Sequence, residues 1–136
     1  MVPADERALL ILERTPVPEE HKQRILGLVQ RAQADARAAG AELQAEFGRE
    51  HVALIVGCNQ FLRLFRGGPQ PGAVELLLDP AQRDSLAGAG FALKDPDGQV
   101  FRLFGWKRVD PMQGPSAALE AAVDQAFAKA KASGKK

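Results

Sequence analysis

Apolar residues change their spacing twice along this chain. From Ile25 onward, Leu28, Val29, Ala32, Ala36, Ala39, Leu43 and Phe47 fall at three- and four-residue steps, a spacing that stacks them on one face of an α-helix. The pattern predicts one amphipathic helix over 19–47, loosened at Gly40 and ending near Gly48. Pro18, Glu19 and Glu20 suit its first turn: proline fits there without losing a helical hydrogen bond, and the acids complement the positive end of the helix dipole. A shorter helix precedes it in "ERALLILERT", with Asp5 and Glu6 at its start, although Leu9 to Leu12 also fit a strand. "TPVP" breaks the chain between the two.

From His51 the texture becomes β. "HVALIV", a turn at "GCN" and "QFLRLFR" read as a hairpin; "GGPQPG" is a loop and "AVELLL" a third strand. Asp79 and Pro80 open a short helix, "AQRDSLAGAG", with Asp79 as N-cap and Gly88 or Gly90 closing it. "FALK", the turn "DPDG" and "QVFRLFGWKRV" make a second hairpin. Leu119, Val123, Ala126, Phe127 and Ala130 mark a last helix over 117–132. The expected fold is α+β: a four- or five-stranded, mostly antiparallel sheet of two hairpins and one strand, with an N-terminal helical pair, a short middle helix and a C-terminal helix. Residues 1–136 form one domain, divided into a helical segment at 1–48, a sheet region at 49–110 and the closing helix at 116–132.

Alternation across a strand sets Phe101, Leu103 and Val109 on one face and Val100, Arg102, Phe104, Trp106 and Arg108 on the other. In the first hairpin, Leu62 and Leu64 oppose Phe61, Arg63 and Phe65. The two hairpins align without a gap, residues 52–66 over 91–105, with Arg63-Leu64-Phe65 matching Arg102-Leu103-Phe104. This likeness reads as a shared structural solution, with ancient duplication as the lesser alternative. Arg63, Arg66, Arg102, Trp106, Lys107 and Arg108 are therefore the candidate binding residues, because aromatic rings interleaved with arginine on an open sheet suit base stacking and phosphate contact. A plainer reading has a helix cover this face, with the aromatics in the core and the arginines reaching its rim on their methylene stems. A third makes it a symmetric dimer interface, since Trp and Arg are typical interface anchors.

Composition narrows the chemistry. A chain of 136 residues can bury roughly 70% of its unfolded surface without staples. Cys58 is the single cysteine, so neither an intrachain disulfide nor a multi-cysteine metal site exists, as expected in a reducing compartment. The five-residue apolar run from Ala8 to Leu12 is too short for a signal-peptide core or a bilayer span, and the expectation is a cytoplasmic protein without a membrane segment. Net charge is +1, divided as 7 Lys/Arg against 9 Asp/Glu in residues 1–60 and 11 against 8 in residues 61–136. That mildly basic second half is far from a strong nucleic-acid signature.

Catalytic groups are scarce: there is no Tyr, and the only histidines are His21 and His51. Cys58 at a turn and His51 at the far end of the same strand cannot form a nucleophile and its base. His21 belongs to the first turn of a helix, beside Glu19 and Glu20, and no spacing supplies a metal site. "DPDG" fails as a calcium loop because glycine follows the second Asp directly. "DPDGQVFRL" resembles the last hairpin of glyoxalase-type metalloenzymes, but Arg102 stands where their metal-binding Glu is expected. No catalytic residue, metal or cofactor is expected.

The element order, with "VELLLDPAQRDSLAGAG", "VFRLFGWKRVDP" and "AALEAAVDQAFAKAKA", resembles the TfoX amino-terminal domain and the related MmcQ/YjbR group over about Ala73 to Lys131. Phe65-Arg66-Gly67-Gly68 stands where that family has Met-Phe-Gly-Gly, and Leu78 where it has a lysine. The resemblance implies a small α+β fold and DNA binding. Three roles are thus in contention: a non-enzymatic binding domain for nucleic acid, a protein-interaction or homodimerisation module pairing through helix 19–47 or the sheet face, and an enzyme completed by a cofactor or partner chain.

Overall fold

Gly40 decides where the first long helix stops. In a computed structural model, which describes residues 2–67, 70–94 and 105–133, Gly40 has φ +63°, a left-handed conformation that only glycine adopts at no cost. Gly40 N–H donates to Arg37 O and Ala41 N–H to Ala36 O, the paired bonds that satisfy the last carbonyls of a helix. The helix is therefore α2 (Glu19–Ala38), and the single helix expected over 19–47 is corrected: Leu43–Phe47 is a strand, β2. Past the glycine, Leu43, Ala45 and Phe47 alternate with Gln44 and Glu46, which is the period of a strand. The sheet accordingly begins before residue 49.

The other elements are β1 (Val2–Pro3), α1 (Ala4–Arg14), β3 (His51–Val56), β4 (Asn59–Phe65), β5 (Val74–Leu77), α3 (Pro80–Gly88), β6 (Trp106–Val109) and α4 (Ser116–Ser133). Leu9 to Leu12 are helical. Among the described residues the six strands lie in the order β1-β2-β3-β4-β5-β6, each antiparallel to its neighbours. β1 is a two-residue pairing, so five strands make up most of the sheet. Gly57 (φ 56°) and Cys58 (φ 79°) turn the β3–β4 hairpin; two positive φ values match the twist of the flanking strands. Asp79 Oδ1 accepts from Gln82 N–H at 2.9 Å and caps α3. The "DPDG" turn and residues 99–104 lie outside the described residues. Lys94 forms an antiparallel bridge to Arg108.

One buried cluster joins Leu12 of α1, Ile25, Leu28, Val29, Ala32 and Ala36 of α2, Leu86 of α3 and Leu119, Val123 and Phe127 of α4 to Val52, Leu54, Leu62, Leu64, Leu76 and Val109 of the sheet. The helices thus gather on one face of the sheet. Ala32 and Ala36, the small residues that would let a second helix approach α2 closely, are buried within the single chain, where α4 packs on α2. That removes the ground for pairing through helix 19–47.

A bulge corrects one side-chain assignment. Leu54 pairs with Leu62 but Ile55 pairs with Gln60, leaving Phe61 as the extra residue. An extra residue shifts the alternation by one, so Phe61 turns to the helices, where its ring meets Phe127 edge-on at 5.5 Å. Gln60 and Arg63 stay together on the second face.

Two glycines test how local geometry holds this frame. A Cβ on Gly40 meets nothing within 4 Å, whereas a Cβ on Gly105 (φ +79°) stands 2.6 Å from Leu78 O, whose own N–H donates to Gly105 O. Gly40→Ala should cost about 1–2 kcal/mol, the left-handed penalty alone. Gly105→Ala should cost clearly more, because the backbone at Leu78, just past β5, would have to shift. Urea unfolding of the two variants measures the difference; equal costs would refute the close approach.

Candidate functional site

Strand register builds the principal polar cluster. Ala53 pairs with Arg63, Arg63 with Glu75, and Glu75 with Arg108, so one row across β3, β4, β5 and β6 carries plus, minus, plus on the face opposite the helices. Directly opposite charges on adjacent strands attract. Arg63 Nη1 donates to Glu75 Oε1 at 3.2 Å, while Arg108 Nε and Nη2 donate to Oε2 at 3.0 and 2.8 Å. Glu75 is 1% exposed. A carboxylate buried this far is tolerable only because both oxygens are occupied by charged donors. The row continues sideways: Arg63 Nε donates to Gln60 Oε1, and Gln60 Nε2 to Glu46 Oε1, both at 2.9 Å.

Aromatic rings frame the guanidinium groups. Arg63 Cζ lies 4.1 Å from the centre of the Trp106 ring and Arg108 Cζ 4.6 Å from that of Phe65, within range of a cation–π attraction. Trp106 is 5% exposed. The His51 ring meets Phe65 at 5.1 Å, and burial, then the nearby Arg63, holds its pKa below the usual imidazole value.

Of the residues nominated from the sequence, Arg63, Trp106 and Arg108 come together here. Lys107 alternates to the opposite face of β6 and is half-buried. Arg66 lies beyond the end of β4, where its Nη2 donates to Arg49 O at 3.4 Å and its amide to Glu50 O at 2.9 Å. Arg102 is outside the described residues. Glu75 escaped notice, although a lone carboxylate inside the apolar run "AVELLL" is a signal that a buried cation must face it. Cys58 is exposed at the turn that follows β3, and His51 is at the far end of that strand. Among the described residues no three His, Cys, Asp or Glu side chains form a metal-binding group, and no helix is long and apolar enough to cross a membrane.

A second polar cluster joins α2 to α4. Arg31 holds Asp124 in a two-pronged pair, Nε to Oδ1 at 2.8 Å and Nη2 to Oδ2 at 2.7 Å. Asp35, one helical turn from Arg31, has its Oδ2 shut off from solvent without a protein hydrogen-bond partner. Burial and the neighbouring Asp124 carboxylate push the Asp35 pKa up to about 7, whereas the bond to Arg31 holds Asp124 below the usual range.

Two outcomes follow from these clusters. Removing one member of a buried ion pair costs about 3–5 kcal/mol, so Glu75→Gln, which leaves two guanidinium groups facing each other, should lower the urea unfolding free energy by roughly 3 kcal/mol, read through Trp106 fluorescence; a loss below about 1 kcal/mol would show that Glu75 does not hold the strands. For Asp35, the folded state binds a proton more tightly than the unfolded state between pH ~4 and ~7, so its contribution to stability falls as pH rises through that window. His51 and Asp124 act in the opposite sense. The comparison is therefore between proteins: Asp35→Asn should raise Tm more at pH 8 than at pH 5, and an equal change at both pH values would contradict the raised pKa.

Compared with known proteins, the chain matches no family model and no curated protein sequence.

Proposed function

We propose that this chain is a non-enzymatic binding domain whose partner is a protein rather than a nucleic acid. One observation carries the reading: Glu75 engages both Arg63 and Arg108, and Trp106 lies 5% exposed beneath Arg63. Phosphate recognition needs guanidinium groups able to displace the cations condensed on the nucleic acid, and base stacking needs an accessible ring face. In this cluster a carboxylate already takes the charge and a guanidinium already takes the ring. The DNA binding implied by the TfoX resemblance would have to break those contacts first. An enzyme is disfavoured on similar grounds, since Cys58 and His51 sit at opposite ends of a hairpin strand and Glu75 has both oxygens engaged by arginine.

Titration with single-stranded and duplex DNA at low salt tests the reading. The expected outcome is unchanged Trp106 fluorescence together with unchanged anisotropy of a labelled oligonucleotide up to tens of micromolar protein. Saturable binding that weakens steeply with added salt would overturn it.

A further inference from the structure

Charge is balanced in opposite ways at the two polar clusters. Glu75 has a guanidinium group on either side, whereas between α2 and α4 Arg31 is set among three carboxyl groups, those of Asp124, Asp35 and Glu120. Asp35 follows Arg31 by one turn of α2. Glu120 precedes Asp124 by one turn of α4 and stands opposite Gly27, where a Cβ would lie 4.0 Å from Glu120 Oε2. Because α4 packs directly on α2, these side chains share one strip between the helices. The charged groups that act on Asp35 are Asp124 from α4 and Arg31 from its own helix, and Glu120 acts on Arg31.

The geometry leaves this strip short of positive charge. Arg31 commits Nε and Nη2 to the two oxygens of Asp124. Asp35 keeps an Oδ2 that is closed to solvent and has no protein donor, although its side chain and that of Asp124 are within hydrogen-bond reach of each other. Two carboxylates that close repel, but with one proton between them the O–H of Asp35 donates to a lone pair of Asp124 that Arg31 does not use. The proton belongs on Asp35, since Arg31 favours the charged form of Asp124. We propose that one proton held between Asp35 and Asp124 fastens α2 to α4 below neutral pH, and that its loss above neutral pH loosens the seam between these helices. Burial, then the contact with Asp124, raises the Asp35 pKa to about 7, in agreement with this assignment. Asp35 also belongs to the last turn of α2, where its carbonyl accepts Ala39 N–H at 3.0 Å, so loosening begins beside the Gly40 stop.

Carboxyl-carbon NMR and amide hydrogen exchange on the whole chain test the two halves of the proposal. The Asp35 carboxyl carbon should titrate near neutrality, and the Asp124 carbon should shift with the same midpoint because the proton is common to both. Asp35→Asn replaces the protonated acid by an uncharged amide of the same shape, so it should fold and should abolish the neutral transition at Asp124. Amide protection in the facing turns, 31–38 of α2 and 120–128 of α4, should fall between pH 6 and pH 8 by roughly two- to five-fold relative to Asp35→Asn, the size of a partly solvated charge contact. An Asp35 midpoint in the ordinary carboxylate range near ~4, or an Asp124 carbon that is silent through the Asp35 transition, would overturn the shared proton. Equal protection in the native chain and in Asp35→Asn at both pH values would overturn the loosening. Shifts of the same two carbons on adding calcium at pH 8 would put a cation where the proton is proposed, and would overturn it as well.

Discussion

A carboxylate with 1% of its surface exposed has to be neutralised, and the structure around Glu75 is arranged to do so. Its two oxygens take donors from the strands on either side, Arg63 of β4 and Arg108 of β6. Because side chains alternate with period two, a slip of one residue in either pairing would carry the arginine to the helix face and leave the carboxylate unmatched. Apolar pairs such as Leu64 with Val74 tolerate small displacements; an ion pair without water does not. The cluster is thereby tied to one register, while the cost of desolvating its charges offsets much of their attraction.

That specification works only because the sheet has two chemically distinct faces. The bulge at Phe61 lets one strand supply both: Phe61, Leu62 and Leu64 enter the helix-side core, while Gln60 and Arg63 remain on the polar side. Gly40 has a comparable effect earlier in the chain. By ending α2 and turning the backbone, it frees Leu43–Phe47 to pair with β3 and widen the sheet beneath α1 and α2. Two local irregularities thus decide which residues belong to the core and which to the second face.

The chemistry of the surface follows the same division. On the second face, guanidinium groups, rings and carboxylates engage one another, so its polar groups are largely satisfied from within. On α1, by contrast, Leu9 and Leu10 are 43% and 45% exposed. Between α2 and α4, Asp35 adds a titratable contact near neutrality.

Sequence alone determined the α+β class, the β3–β4 hairpin, the Asp79 cap, the short middle helix and the closing helix, since each depends on short-range periodicity or on one residue at a turn. It also brought Arg63, Trp106 and Arg108 onto one surface through alternation. The end of α2 was legible in principle, as Leu43, Ala45 and Phe47 alternate with polar residues, but alanine and leucine also satisfy a helical period, and Gly40 outweighed it. Only the tertiary structure decided what the arginines do. Arg63 and Arg108 find their counter-charge on β5, 12 and 33 residues away, and such a distance closes only when strand order and register are in place. A guanidinium beside an aromatic ring looks the same in a sequence whether it awaits a phosphate or already holds a carboxylate.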